Sequence, residues 1–167
     1  MRIAQIVPQS IVDGIGIRLV VFFQGCNHDC KGCHNPSTHD YDGGMFITPK
    51  DLSKVILNHL DADPLITGVT YSGGEPMDQE LELYALTILL KEKRPDLSFM
   101  LYTGYTFNEL KNNTYSLPLM DYIVDGPYIE SQRDISLRFR GSKNQRVYQR
   151  IDGKLVDVTD TPEWSAK

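Results

Sequence analysis

Ile17-Arg18-Leu19-Val20-Val21-Phe22-Phe23-Gln24-Gly25-Cys26-Asn27-His28-Asp29-Cys30-Lys31-Gly32-Cys33 runs from an apolar segment straight into a polar, cysteine-bearing loop. Residues 17–24, rich in Val, Phe and Leu, read as a buried strand. The same order recurs downstream. Gly68 to Ser72 reads as a strand ending in Gly73-Gly74, Ser98 to Tyr102 as a third, and Met120 to Val124 as a fourth ending at Asp125-Gly126-Pro127. Helices fall between them. Thr48-Pro49-Lys50-Asp51 is a helix start, with Leu52, Val55, Ile56 and Leu60 at helical spacing behind it. Asp78 to Lys93 reads as a helix with Leu81, Ala85, Ile88 and Leu89 on one face, and Thr106 to Glu109 as a capping box opening a short helix. Val147–Ile151 and Leu155–Val158 are expected late strands, joined by a turn at Asp152-Gly153.

Strands alternating with helices imply parallel pairing. A closed eight-stranded barrel takes about 250 residues, and this chain has 167. The expected fold is therefore α/β: an open partial (βα) barrel of mostly parallel strands, in a single domain over residues 1–167. Cys26, Gly73, Thr103 and Asp125 each fall at or just after a predicted strand end. Ligands in parallel α/β folds bind at the C-terminal ends of strands, so four separate segments point to one site.

Composition narrows the function classes. Hydrophobic residues make up 41% and charged residues 23%, as in ordinary globular chains. A net charge of −5 argues against bulk nucleic-acid binding. No apolar run approaches the roughly 18 residues of a membrane span, and residues 1–5 lack the start of a signal peptide. A cytoplasmic protein with no membrane or nucleic-acid partner is expected. Its 3 cysteines, an odd number, all lie between Cys26 and Cys33, which suits metal ligation in a reducing compartment.

Thiolates suit zinc and iron–sulfur clusters. A 4Fe–4S cluster held wholly by protein takes four cysteines; Cys26, Cys30 and Cys33 leave one iron open. The amino and carboxylate groups of S-adenosylmethionine can chelate such an iron. The competing readings are a Cys3His zinc site completed by His28, His34 or His39, and a small iron–sulfur electron-transfer protein. Gly73-Gly74 allows close backbone approach by a ligand, so a β-branched residue at Gly74 is expected to cut ligand binding and spare the cluster. Glu75 offers a carboxylate to a ligand amino group. Thr103 and Asp125 are placed to bind a ribose or carboxylate, or to shape the cavity. Between Arg133 and Arg150 lie 6 basic residues and 1 acid, which read either as a solvated face or as a docking surface.

Ser10 to Arg18, Val21 to Cys26 and Cys33-His34-Asn35-Pro36 together resemble the opening of glycyl-radical enzyme activases in the radical S-adenosylmethionine superfamily. Gly73-Gly74-Glu75-Pro76 resembles that superfamily's motif for the S-adenosylmethionine amino group. An aromatic residue often precedes the third cysteine in the wider superfamily. Gly32 stands there instead, and adenine packing falls to His34 or Phe23. Gly32, Val124 to Tyr128 and Arg140 to Arg146 resemble the branch that activates anaerobic, class III ribonucleoside-triphosphate reductase. The likeness runs from about Ile6 to Ile151. It implies one 4Fe–4S cluster with three Cys ligands, S-adenosyl-L-methionine, and reductive cleavage to a 5′-deoxyadenosyl radical that generates a glycyl radical on the reductase. It also implies a low-potential electron donor such as flavodoxin or ferredoxin, and docking through Arg138, Arg140, Lys143 and Arg146. An activase of another glycyl-radical enzyme, such as pyruvate formate-lyase, shares the opening motifs.

Overall fold

The computed structural model describes residues 1–112 and 114–165. In chain order these form β1 (Arg2–Ser10), β2 (Ile17–Phe23), β3 (Met45–Phe46), α1 (Pro49–Ala62), β4 (Ile66–Gly73), α2 (Glu80–Lys93), β5 (Ser98–Tyr102), α3 (Phe107–Leu110), β6 (Tyr122–Asp125), β7 (Arg146–Ile151), β8 (Lys154–Asp157) and α4 (Pro162–Ser165). The strands make one sheet in the order β3-β1-β2-β4-β5-β6-β7-β8. Its centre, β2-β4-β5-β6, is parallel, as the alternation of strands and helices requires. The outer pairings are antiparallel, so the sheet as a whole is mixed. Its two edges, β3 and β8, do not meet.

β1 is the element that composition concealed. Pro8 cannot donate to a ladder, and it sits where the pairing with β2 shifts register between Val7 and Ser10. Only Ile3 and Ser10 of β1 are buried, so no alternation marks it. The hairpin between β7 and β8 turns on Asp152 and Gly153, both at positive φ (48° and 78°).

α1 starts as its residues dictate. The Thr48 side chain accepts the Asp51 N–H, and Pro49 occupies the first turn. Leu52, Ile56 and Leu60 are buried against the sheet, while Val55 is exposed. For α2 the expected face is the wrong one. Leu83, Leu86, Thr87 and Leu90 are buried, and Leu81 lies outside. Apolar residues occupy almost every turn position of this helix, so spacing alone could not select a stripe. Residues 76–79 form a separate short 3₁₀ turn, which delays the start of α2.

The main core lies between these helices and one face of the sheet, where Leu19, Val21, Phe23, Val69, Tyr71, Phe99 and Leu101 point. The opposite face is inner and partly polar. A smaller cluster of Met100, Val124, Val147, Val158 and Trp164 closes one side of it. Arg18 is fully buried on that inner face, with no carboxylate partner among the described residues. Its guanidinium donates to Thr70 Oγ1 (2.6 Å), Ser98 Oγ (2.9 Å) and the carbonyls of Ile15, Val69 and Ser98. Burial lowers its pKa to about 10; five acceptors keep the cation satisfied.

Candidate cluster and cofactor site

The parallel register brings four strand ends to one edge. Phe23 pairs with Gly73, Tyr71 with Leu101, and Tyr102 with Val124. A pocket of about 140 Å³ opens there, lined by Cys26, Cys30, Cys33, His34, Gly73, Gly74, Glu75, Thr103 and Gly126 among others. The cysteines, Gly73–Glu75 and Thr103 thus meet as expected. Asp125 does not line the pocket. It is buried below, where its carboxylate accepts the N–H of Phe107 (2.5 Å) at the start of α3 and that of Arg146 (3.2 Å). Burial raises its pKa.

The cysteine loop is held by backbone. Gly25 N–H donates to Thr38 O (2.8 Å), Cys26 N–H to His39 O (3.1 Å), and Glu75 N–H to Gly25 O (2.8 Å). Gly25 and Gly32 adopt positive φ (102° and 73°), as does Asp29 (48°). Gly32 is therefore a conformational requirement of this loop. An aromatic residue at that position would be strained. Of the two candidates for adenine packing, Phe23 is excluded by position. It is fully buried in the main core against Tyr71. His34 is exposed at the pocket and packs with Tyr128, their ring centroids 4.9 Å apart.

The paired glycines serve the fold more directly than expected. A Cβ on Gly74 would lie 2.3 Å from Gly25 O, and one on Gly73 2.6 Å from Phe23 N. Both collisions are with backbone, the first next to Cys26 and the second at the end of β2. A Cβ at Gly74 would thus press on the cysteine loop itself, and this contact bears on the expected separation of ligand binding from cluster binding there.

Glu75 is fully buried and fully used. Its Oε1 accepts Met77 N–H (2.9 Å) and Thr103 Oγ1–H (2.8 Å); its Oε2 accepts Gly104 N–H (2.7 Å) and meets His28 Nε2 (2.9 Å). Four bonds fill the acceptor sites of a carboxylate, and a ligand amino group would have to displace one. His28, which spacing offered as a zinc ligand, is instead a strut between the cysteine loop and the strand ends. Its ring lies edge-on to Tyr105 at 4.6 Å, and a Cβ on Gly104 would strike it at 2.5 Å. The bond to Glu75 raises the His28 pKa against the opposing effect of burial.

Burial raises the Cys26 thiol to about 11, partly offset by a backbone bond from His28, and raises Cys30 as well. Asn35 N–H donates to Cys33 Sγ (3.4 Å). Among the described residues no group of three or more His, Cys, Asp or Glu converges to hold a single metal ion. Ligands of one zinc ion meet at a point about 2.0–2.3 Å from each. Cluster thiolates each take a different iron. The three half-buried thiols all line one pocket, and a donor set of three thiolates with no fourth cysteine in the sequence suits a 4Fe–4S cluster with one open iron.

The small pocket opens into a larger cavity of about 660 Å³ along the inner face of the sheet. His34, Asn35, Ser72, Tyr102, Tyr128 and Gln145 line both. Arg138 and Arg140 line the larger cavity, but Arg138 donates to Glu163 O and Arg140 to Gln145 O and Trp164 O. Lys143 pairs with Asp134 (3.6 Å) and Arg146 with Asp157 (2.6 Å), and neither lines the cysteine pocket or the larger cavity beside it. Arg150 bonds the carbonyls of Leu117, Met120 and Gly153. The basic run thus largely makes contacts within its own chain, from the irregular segment before β7 and from β7 itself.

Residues 12–148 match the family model described as a 4Fe-4S single cluster domain. The anaerobic ribonucleoside-triphosphate reductase-activating protein of Vibrio cholerae is 36% identical over 152 residues, covering 89% of this chain and 98% of that protein. This chain belongs to the anaerobic ribonucleoside-triphosphate reductase-activating protein family. The family's member from Enterobacteria phage T4 is 35% identical over 155 residues, covering 92% and 97% of the two chains, and that from Escherichia coli K12 is 34% identical over 154 residues, covering 89% and 98%. The crystal structure of QueE from Escherichia coli matches with a TM-score of 0.50 at 20% identity, over 63% of this chain and 53% of that one. It supports the open α/β fold. No helix among the described residues of this family member is long and apolar enough to cross a membrane.

Proposed function

We propose that this protein activates anaerobic ribonucleoside-triphosphate reductase by forming a glycyl radical on it. The observation that carries the reading is the meeting of the three thiols with the Gly73-Gly74-Glu75 turn at one pocket, in a chain whose relatives are named as activators of that reductase. Cys26, Cys30 and Cys33 would hold one 4Fe–4S cluster, with one iron left for S-adenosyl-L-methionine. When bound, that pair would supply one-electron reductive cleavage to methionine and a 5′-deoxyadenosyl radical, the chemistry needed to remove a hydrogen atom from a reductase glycine.

The chain's own residues position and shelter these groups. The backbone bonds from Gly25, Cys26 and Glu75 set the loop against the strand ends. The His28–Glu75 strut holds its far side. Gly73, Gly74 and Thr103, which line the same pocket, would border the cofactor, and His34 with Tyr128 would offer its adenine an aromatic surface. The larger cavity gives the partner's glycine a route to the pocket, since hydrogen abstraction needs the reacting atoms in contact. The reducing electron comes from a low-potential donor such as flavodoxin or ferredoxin, in the cytoplasm. Anaerobic reconstitution with iron and sulfide, followed by assay for methionine and 5′-deoxyadenosine, tests the reading. Both products are expected in equal amounts under reduction; stoichiometric zinc without labile sulfide, and no products, would overturn it.

A further inference from the structure

The larger cavity carries a feature that cluster and cofactor do not need. Ile11, Val12 and Ile135 are 75%, 71% and 78% exposed. Ile11 and Val12 lie in the turn between β1 and β2, and Ile135 in the irregular segment before β7. All three nonetheless line the same cavity, together with Leu137 and Phe139. Single exposed apolar residues are ordinary. Apolar residues from distant parts of a chain, gathered on one cleft, mark an interaction site.

Two observations say what covers them. The cavity continues into the cysteine pocket through Ser72, Tyr102 and Tyr128, so its occupant is whatever must reach the reacting centre. Its charges nearly balance, with Arg133, Arg138 and Arg140 against Asp13 and Asp134. A strongly acidic segment therefore has little to recognise here.

We propose that Ile11, Val12 and Ile135 form an apolar grip for an extended, largely uncharged segment of the reductase that flanks its radical-bearing glycine. The proposal rests on the functional reading above. It makes docking mainly hydrophobic, and so weakly dependent on salt.

The test replaces all three residues together (Ile11→Ser, Val12→Ser, Ile135→Ser) and follows glycyl-radical formation against reductase concentration by electron paramagnetic resonance. Iron per chain and the reduced-cluster spectrum check that the site is intact. The expected result is an intact cluster and a KM for the reductase raised at least tenfold, with the wild-type KM nearly unchanged between low and high salt. A variant KM within twofold of wild type overturns the grip alone. So does loss of the cluster in the variant, which would make these residues part of the fold. No radical with the wild type overturns the functional reading and the grip with it.

Discussion

Replacing His28 by Leu removes one donor from a buried carboxylate and should loosen the cysteine loop. Glu75 keeps its bonds from Met77, Thr103 and Gly104, but loses the one that reaches across to the loop at 2.9 Å. A hydrogen bond to a charged group contributes about 1.5–3 kcal/mol. At about 1.4 kcal/mol per factor of ten, the closed loop should open roughly 10- to 150-fold more often. Amide hydrogen exchange of the cluster-free protein over residues 24–36 reads this directly. Exchange should accelerate by that factor there and stay unchanged in α1 and α2. Gly104→Ala should produce the same local effect, because its Cβ would strike the His28 ring at 2.5 Å. Combining the two should add little, since both break one contact. Unchanged exchange in the loop of either variant would refute the strut.

Changing any one of Cys26, Cys30 or Cys33 to Ala should leave iron and sulfide well below four per chain after reconstitution, because no other cysteine exists in the sequence; iron and labile-sulfide analysis checks this. Gly74→Val should lose cluster content and S-adenosylmethionine binding together, given the 2.3 Å approach to Gly25 O; a variant with a full cluster and lost binding would reinstate a direct ligand contact. Arg18→Leu leaves the Thr70 and Ser98 hydroxyls and three carbonyls without their buried donor. At least about 3 kcal/mol is expected, or a fall in melting temperature of roughly 6–12 °C, measured by thermal unfolding.

Much of this site was legible because its residues sit where the chain must change character. Cys26, Gly73 and Thr103 each follow or end a run of buried apolar residues, and parallel pairing brings such ends together. Asp125 shares that position, yet its carboxylate turned to backbone donors, which spacing along a strand cannot reveal. The Glu75 contacts were hidden for another reason. They join residues 28, 75, 103 and 104, from three separate segments, and only the fold makes them neighbours. Arg18 sat inside an apolar strand and gave no sign that its partners would be neutral. The basic run between 133 and 150 looked like one surface; in the fold, Arg138, Arg140 and Arg150 bond backbone carbonyls while Lys143 and Arg146 pair with separate carboxylates. The pattern that could have exposed this is the scarcity of strand or helix periodicity there, which leaves backbone groups for side chains to satisfy.

The central claim is that this chain makes a glycyl radical on the anaerobic reductase. The direct measurement is electron paramagnetic resonance of that reductase after anaerobic incubation with the reconstituted protein, S-adenosylmethionine and a reductant. The account predicts a glycyl-radical signal on the reductase, absent when Cys26, Cys30 or Cys33 is replaced. No signal there, with a radical formed on pyruvate formate-lyase under the same conditions, would contradict it.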